Sequence, residues 1–543
     1  REALRRGDRA PGDRRCAQVP PGGINQRQAF CGEHRRECEQ SRLCLGDRQE
    51  RKVGHLALMA RPCRRSQCGQ STARRYADSL CVMKTLLDPD RALTEGLAAI
   101  RTQYNVPADF PPQVLAAADE AAKRVPTAHV DRTATPFVTL DPASSTDLDQ
   151  AFAIEPAGSD LLLRYAIADV AWFVDEGGAL DVEAWKRGES LYLPDGKAAL
   201  YPPVLGEGAA SLLPTGDRPA VIFAVRVAPD GAARLDGVER AVIRSRAKLA
   251  YETVKPADLP SGFAELAARI DAAEDRRGAA RVDPPEQELA RNGDGRLQLR
   301  FAPREESEDQ NAAMSLATNL AVADALLAHH TGLFRVMPGP DDRAVARLRN
   351  AARALGIDWP AATSLADFQR GLDGHDARQA AMMVAIRRAG EGASYAPYQP
   401  DVVPWHAAVA ATYAHATAPL RRLADRYVVQ AALAVANGLP VPDFVSAAFG
   451  RLPPVMAHSG SIAGAIDRAV IDMAEAVMLH GLEGQTFKAV ILDRDERGAR
   501  IQLCDRPVVA RVQTDAGEPG DTITVRLDEA DPVRRSLRFS RAG

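Results

Sequence analysis

Thr139-Leu140-Asp141-Pro142-Ala143-Ser144-Ser145-Thr146-Asp147-Leu148-Asp149-Gln150-Ala151 sets three carboxylates within nine residues of chain, between two short apolar runs. Carboxylates crowded in this way repel one another unless a cation sits among them. Hard oxygen donors suit Mg²⁺, which takes one or two carboxylates and completes its shell with water and substrate phosphate. Two such ions about 4 Å apart can activate water and stabilise a leaving oxygen in phosphodiester cleavage. A calcium loop fits less well, because no glycine stands mid-loop and no glutamate closes it. On spacing alone, a solvated acidic turn stays open as the alternative.

Working outward, the flanks read as strands. Residues 137–140, 151–154 and 161–167 are short apolar or alternating runs bounded by turn residues. Residues 297–301 alternate after Asn292-Gly293-Asp294-Gly295, a hairpin-type turn. Past Glu306 the spacing predicts helices over 309–329, 341–355, 376–389, 419–436 and 462–480. Upstream, helices are predicted over 88–104 and 112–124, in a small helical or helix-turn-helix-like segment spanning 83–132. The last sixty residues return to short strands at 487–493, 499–503, 508–512, 522–527 and 536–539, a pattern that suggests an OB-type barrel over 484–543.

Composition bounds the rest. A chain of 543 residues, 46% apolar, has room for three or four domains. Its net charge of −3 hides an asymmetry: residues 1–82 hold 18 basic and 9 acidic side chains, the remainder 51 and 63. Seven of the eight cysteines precede Met83, and only Cys504 lies beyond it, so no disulfide framework is expected there and a reducing cytoplasm suits the chain. The cysteine spacings before Met83 lack the paired short loops of a tetrahedral zinc site. A basic RNA-binding arm is one reading of 1–82; an irregular upstream extension, outside the working protein, is the preferred one. No apolar run is expected to span a membrane.

The acidic loop resembles the signature of the ribonuclease II catalytic domain, D-x5-D-x-D-D, with Asp141, Asp147 and Asp149 on the first three positions and Gln150 on the fourth. The similarity continues in order through Ala166-Ile167-Ala168-Asp169-Val170-Ala171, Leu180-Asp181-Val182-Glu183-Ala184, Arg187-Gly188-Glu189-Ser190-Leu191-Tyr192-Leu193-Pro194, Ser211-Leu212-Leu213-Pro214-Thr215-Gly216-Asp217-Arg218, Ser245-Arg246-Ala247-Lys248-Leu249-Ala250-Tyr251-Glu252 and Tyr413 to Asp425, where Pro419-Leu420-Arg421-Arg422 stands in the family's "S-P-I-R-R". The resemblance implies an α+β, mixed multidomain fold, with a catalytic domain over 133–480. It also implies a Mg²⁺-dependent enzyme (Mn²⁺ as a substitute) that processively hydrolyses single-stranded RNA from its 3′ end to 5′-mononucleotides. The expected protein is a cytoplasmic monomer.

On that resemblance Asp141, Asp147 and Asp149, with Gln150 beside them, would hold metal, and Arg421 would grip the scissile phosphate from the start of a helix. Tyr192 and Tyr251 would stack on or line the RNA channel, and Arg422 would contact substrate. His406 and His415 are read as packing or RNA-contact residues. Three departures stand out. Gln150 carries no charge; Asn311-Ala312-Ala313-Met314 replaces the family's Glu-Glu-x-Met; and no aromatic precedes the 292–295 turn, Leu289 being nearest. Typical members carry two cold-shock barrels ahead of the catalytic domain, and 83–132 is too short for them. An RNA clamp without turnover, or a nuclease acting mainly on DNA, are the competing readings.

Overall fold

A computed structural model describes residues 92–279, 287–291, 297–301, 305–373, 376–390, 392–495, 497–514 and 517–542. The expectations for 1–82 and for the 292–295 turn lie outside these residues.

The framework is a five-stranded sheet in the order Val130–Asp131, Ala233–Ile243, Arg218–Val227, Asp160–Ala168, Gln150–Ala157. All its pairs are antiparallel except the first, which is parallel. The centre is Pro219-Ala220-Val221-Ile222-Phe223-Ala224-Val225, a nearly continuous apolar run whose residues are buried on both faces, as a strand covered on both sides must be. Its hairpin partner Ala233–Ile243 follows a turn at Asp230-Gly231; Gly231 has φ +73°, and a Cβ there would fall 2.0 Å from the Arg269 carbonyl oxygen, so only glycine fits. A separate short parallel pair joins Thr139–Asp141 to Lys248–Ala250. The first carboxylate of the acidic loop thus ends a strand, one residue beyond the expected 137–140.

Helix Glu306–Ala328 packs on Arg218–Val227, on Ala233–Ile243 and on helices Phe263–Arg277 and Leu423–Ala436. Glu306, Glu308 and Asp309 crowd its first turn, where negative charge suits the exposed N–H groups. Contrary to expectation, this helix is long and apolar enough to cross a membrane by length and composition, but 67% of its apolar window is buried within the protein. It is apolar on most sides because it is a core helix.

The expected helix pair at the start appears as Ala92–Gln103 and Pro112–Ala121, each packed into a different core: the first beside residues of the late long helix, the second in the main core against helix Ala179–Arg187. Gly96 lets the first approach closely, since a Cβ there would meet the Met473 sulfur at 2.1 Å. The helix expected over 462–480 is far longer, Asp443–Leu479, and runs through Pro453 and Pro454. Its Val445, Phe449 and Leu452 enter the main core, Ile466, Val470 and Met473 a second core, and Leu479 the barrel core. The C-terminal strands close a five-stranded barrel, Thr486–Asp495, Gly498–Leu503, Val509–Gln513, Ser536–Arg541, Thr522–Asp531, sealed by a parallel pairing of Val509–Gln513 with Ser536–Arg541. Bulges at Ile491/Asp493 and Leu527/Glu529 supply the bending that closure requires.

Candidate active site

The acidic loop bridges strands Thr139–Asp141 and Gln150–Ala157 and is held from outside its own sequence. The Lys248 ammonium donates to the carbonyls of Ala143 (2.7 Å) and Ser145 (2.6 Å). Ser211 accepts from the Leu148 N–H (2.9 Å) and donates to the Thr146 carbonyl (2.8 Å). With its backbone fixed, the loop presents Asp141, Asp147, Asp149 and Gln150 to one cavity of about 1000 Å³, also lined by Tyr192, Lys197, Tyr251, Asn311, His406 and Arg421.

The three carboxylates differ in their surroundings. Asp149 is 4% exposed; one oxygen accepts the Leu420 N–H at 2.7 Å and the other pairs with the Arg421 guanidinium at 3.2 Å. Burial still pushes its carboxyl up to about 7, against the opposing pull of Arg421 and the Leu420 N–H. Asp141 keeps a buried oxygen with no hydrogen-bond partner, and burial pushes it up to about 6, with Arg421 and Lys248 opposing. Asp147 is turned to the facing hairpin. The Lys197 ammonium stands 2.7 Å from one of its oxygens, and the Tyr192 hydroxyl donates to the other at 3.1 Å.

Two buried carboxyls held above their ordinary range, one with an orphaned oxygen, are a donor set short of positive charge. A divalent cation is the group that supplies it, so Asp141 and Asp149 fit one. Yet among the described residues no three acidic, histidine or cysteine side chains stand close enough together to hold a metal. Gln150 contributes little: its amide oxygen accepts from the Tyr165 hydroxyl and its amide nitrogen donates to the Thr417 carbonyl at 2.9 Å.

The remaining predicted residues sort by position. Arg421 is at the cavity but not at a helix start, since the helix is Leu423–Ala436 and Arg421 belongs to the turn before it; half its side chain is exposed. Arg422 is its neighbour's opposite. Its guanidinium is forked onto Asp425 (2.7 and 3.1 Å) and is not among the cavity-lining groups. Tyr192 is 49% exposed with its ring at the cavity wall, whereas Tyr251 is held by the Asn311 amide at 2.8 Å. Leu289 is buried in the second core. His415 is buried against the Tyr395 hydroxyl (2.9 Å), and burial, then Arg422 and Arg335, hold its basicity well below the usual range. His406 lines the cavity and is lowered by burial and by Arg335. Sequence reasoning missed Lys197 and Lys248; the latter lies in a quoted segment, and the former directly follows the Pro194-Asp195-Gly196 turn, four residues after Leu193 ends its strand.

Residues 129–436, more than half the chain, match the RNB domain, and residues 485–542 match the RNase II-type exonuclease C-terminal S1 domain. This chain belongs to the RNB-domain family. Its S1 domain is the closed barrel, and its RNB domain is the mixed α+β body around the acidic loop. Ribonuclease R of Vibrio cholerae is 28% identical over 361 residues, which cover 61% of this chain and 43% of that protein. The chain thus spans less than half the length of that relative. Mycoplasma genitalium RNase R shares the fold at TM-score 0.73 and 19% identity, over 84% of this chain and 79% of that one; it has been solved with single-stranded and with double-stranded RNA. Yeast Ssd1, a pseudonuclease, shares it at TM-score 0.58 and 17% identity, over 79% of this chain and 56% of that one. RNB-domain exoribonucleases depend in general on a divalent metal.

Proposed function

We propose that this chain is a divalent-metal-dependent exoribonuclease that hydrolyses single-stranded RNA processively from the 3′ end, releasing 5′-mononucleotides. The observation that carries this reading is the meeting of Asp141, Asp149 and Arg421 in one cavity, with burial holding both carboxyls above their ordinary range. Asp141 and Asp149 would hold the metal, with Asp147 lining the same cavity but engaged by Lys197 and Tyr192; Mg²⁺ is the natural choice for oxygen donors and Mn²⁺ a substitute. When bound, a divalent ion supplies charge for the phosphate and lowers the pKa of water. The chain's own groups do the rest. Arg421 is free on one side to reach a phosphate oxygen while Asp149 fixes its Nε. The exposed Tyr192 ring offers a stacking face that accepts any base. Gln150 and Arg422, both committed to neighbours, position the loop and the Leu423–Ala436 helix.

The fold shared with a pseudonuclease and the neutral Gln150 favour a second reading, an RNA clamp without turnover. One experiment separates the two. A 5′-labelled single-stranded RNA is incubated with the protein and Mg²⁺, and product lengths are resolved over time. Stepwise shortening from the 3′ end, abolished by chelator and by Asp149→Asn, supports the enzyme. Binding without shortening supports the clamp, and faster cutting of the matching DNA overturns the RNA assignment. A hairpin with a 3′ overhang extends the assay, since progress into the stem marks activity on structured RNA.

A further inference from the structure

We infer that Lys197 is a built-in cation of this active site, standing where a second divalent ion would otherwise be needed, so that the site works with one metal. The inference rests on the metal-dependent reading above.

Four observations carry it. Lys197 lies opposite Tyr192 in the hairpin of Leu191–Leu193 with Gly196–Ala198, so the two side chains share a face. Together they take up both oxygens of Asp147, the ammonium at 2.7 Å and the hydroxyl at 3.1 Å. Second, the ammonium is held from another side by Glu207 at 3.1 Å, itself anchored by the Thr146 hydroxyl at 2.9 Å. Its third N–H meets only the Thr146 oxygen, at 3.4 Å, a weak contact that a phosphate oxygen can displace. Third, Lys197 lines the same cavity as Asp141, Asp149 and Arg421, with 19% of its side chain exposed. Fourth, the neutral Gln150 has its amide spent on Tyr165 and Thr417, which leaves Asp141 and Asp149 as donors for a single ion. With both Asp147 oxygens already met by Lys197 and Tyr192, and with Gln150 neutral, the acidic loop offers an incoming cation two carboxylates in place of four.

In the step itself, the oxygen of water forms a bond to phosphorus and the bond from phosphorus to the 3′ oxygen of the penultimate nucleotide breaks. One water proton ends on that leaving oxygen, and the other stays with the released 5′-phosphate or passes to solvent. Lys197 remains protonated throughout; it offsets the charge that builds on the phosphate oxygens and needs no rearrangement to do so.

The test counts ions directly. RNA-free protein is titrated with Mn²⁺ and followed by electron paramagnetic resonance, with melting curves confirming that each variant folds. Wild type and Lys197→Arg are expected to take up one Mn²⁺ per chain with no spin-coupled signal. The double variant Lys197→Met, Gln150→Asp is expected to take up two and to show coupling. Lys197→Met alone is expected to lower turnover in Mg²⁺ by about 10²- to 10³-fold, the usual loss when one preorganised charge partner is removed, with Lys197→Arg restoring part of it. Two coupled ions in wild type, a single ion in the double variant, or unchanged turnover in Lys197→Met would each overturn the role of Lys197 while leaving metal-dependent hydrolysis intact. No Mn²⁺ uptake by wild type at all would overturn both.

Discussion

Replacing Asp149 by asparagine in the metal-free protein is expected to raise stability at pH 8 while abolishing RNA turnover. The folded protein holds the Asp149 proton up to about pH 7, whereas an unfolded aspartate releases it near its ordinary value of 3.8. Between those values the unfolded chain binds fewer protons than the folded one, so stability falls as pH rises from about 4 to about 7. At about 1.36 kcal/mol for each pH unit, the full gap amounts to about 4 kcal/mol against the fold at pH 8. Asparagine keeps the size and can still accept the Leu420 N–H, but brings an amide beside Arg421. A net gain of about 2 to 4 kcal/mol at pH 8 is therefore expected, and it should vanish or turn into a small loss at pH 4, where the proton-linked part is nearly gone. Urea unfolding of both proteins in chelator, at half-unit intervals from pH 4 to 8, measures it. Mg²⁺ should reverse the order by stabilising wild type, most of all at pH 8. A variant less stable than wild type by the same amount at every pH would refute the reasoning, because Asp149 would then be an ionised structural partner of Arg421 and Leu420 throughout.

Three further perturbations probe the site and its support. Tyr192→Ala removes an exposed stacking face, worth about 1–3 kcal/mol per base; binding of a single-stranded 3′ end should weaken about 10- to 100-fold and the shortest product should lengthen, read by anisotropy and by product sizing. Arg421→Ala should lower turnover by about 10²- to 10³-fold. It should also move the onset of Mg²⁺ binding to higher pH, since Arg421 is the leading influence pulling Asp141 and Asp149 down; calorimetry across pH tests both effects. Arg426→Met should destabilise the protein by about 3–5 kcal/mol, because it strands the buried Asp181 carboxylate, whose partners would shrink to Tyr427 and the Gly177 N–H; a lowered melting temperature is the readout.

Much of this arrangement was legible beforehand. The five barrel strands and most late helices follow from two- and 3.6-residue apolar periods, and the acidic loop follows from its charge density. What escaped reading did so for identifiable reasons. Strand Arg218–Val227, the middle of the sheet, shows no alternation because both its faces are covered, although Pro229-Asp230-Gly231 after it is a turn signal and its partner Ala233–Ile243 begins with the alternating Ala233-Arg234-Leu235-Asp236. The helix continues through Pro453 and Pro454, upstream of the expected 462–480; each proline lacks an N–H and crowds the carbonyl four residues back, while Leu452 and Met456 on either side are buried. At the site, the spacing of Asp141, Asp147 and Asp149 forecasts their shared cavity but not their separate partners. Those partners, Leu420, Arg421, Lys197 and Tyr192, come from segments 45 to 272 residues away along the chain. Tertiary pairing of that kind leaves no local trace.

The helix Asp443–Leu479 carries a mechanical consequence. At about 1.5 Å per residue, its 37 residues make a rod about 55 Å long. That rod lends apolar teeth first to the body that bears the acidic loop, then to the second core, and finally to the barrel. A cut at either junction between those stretches separates two apolar interiors that share this one rod. The S1 barrel can be marked off on paper at residue 485, but lifting it away strips the cover from Leu479 and Met478 at the end of the spine.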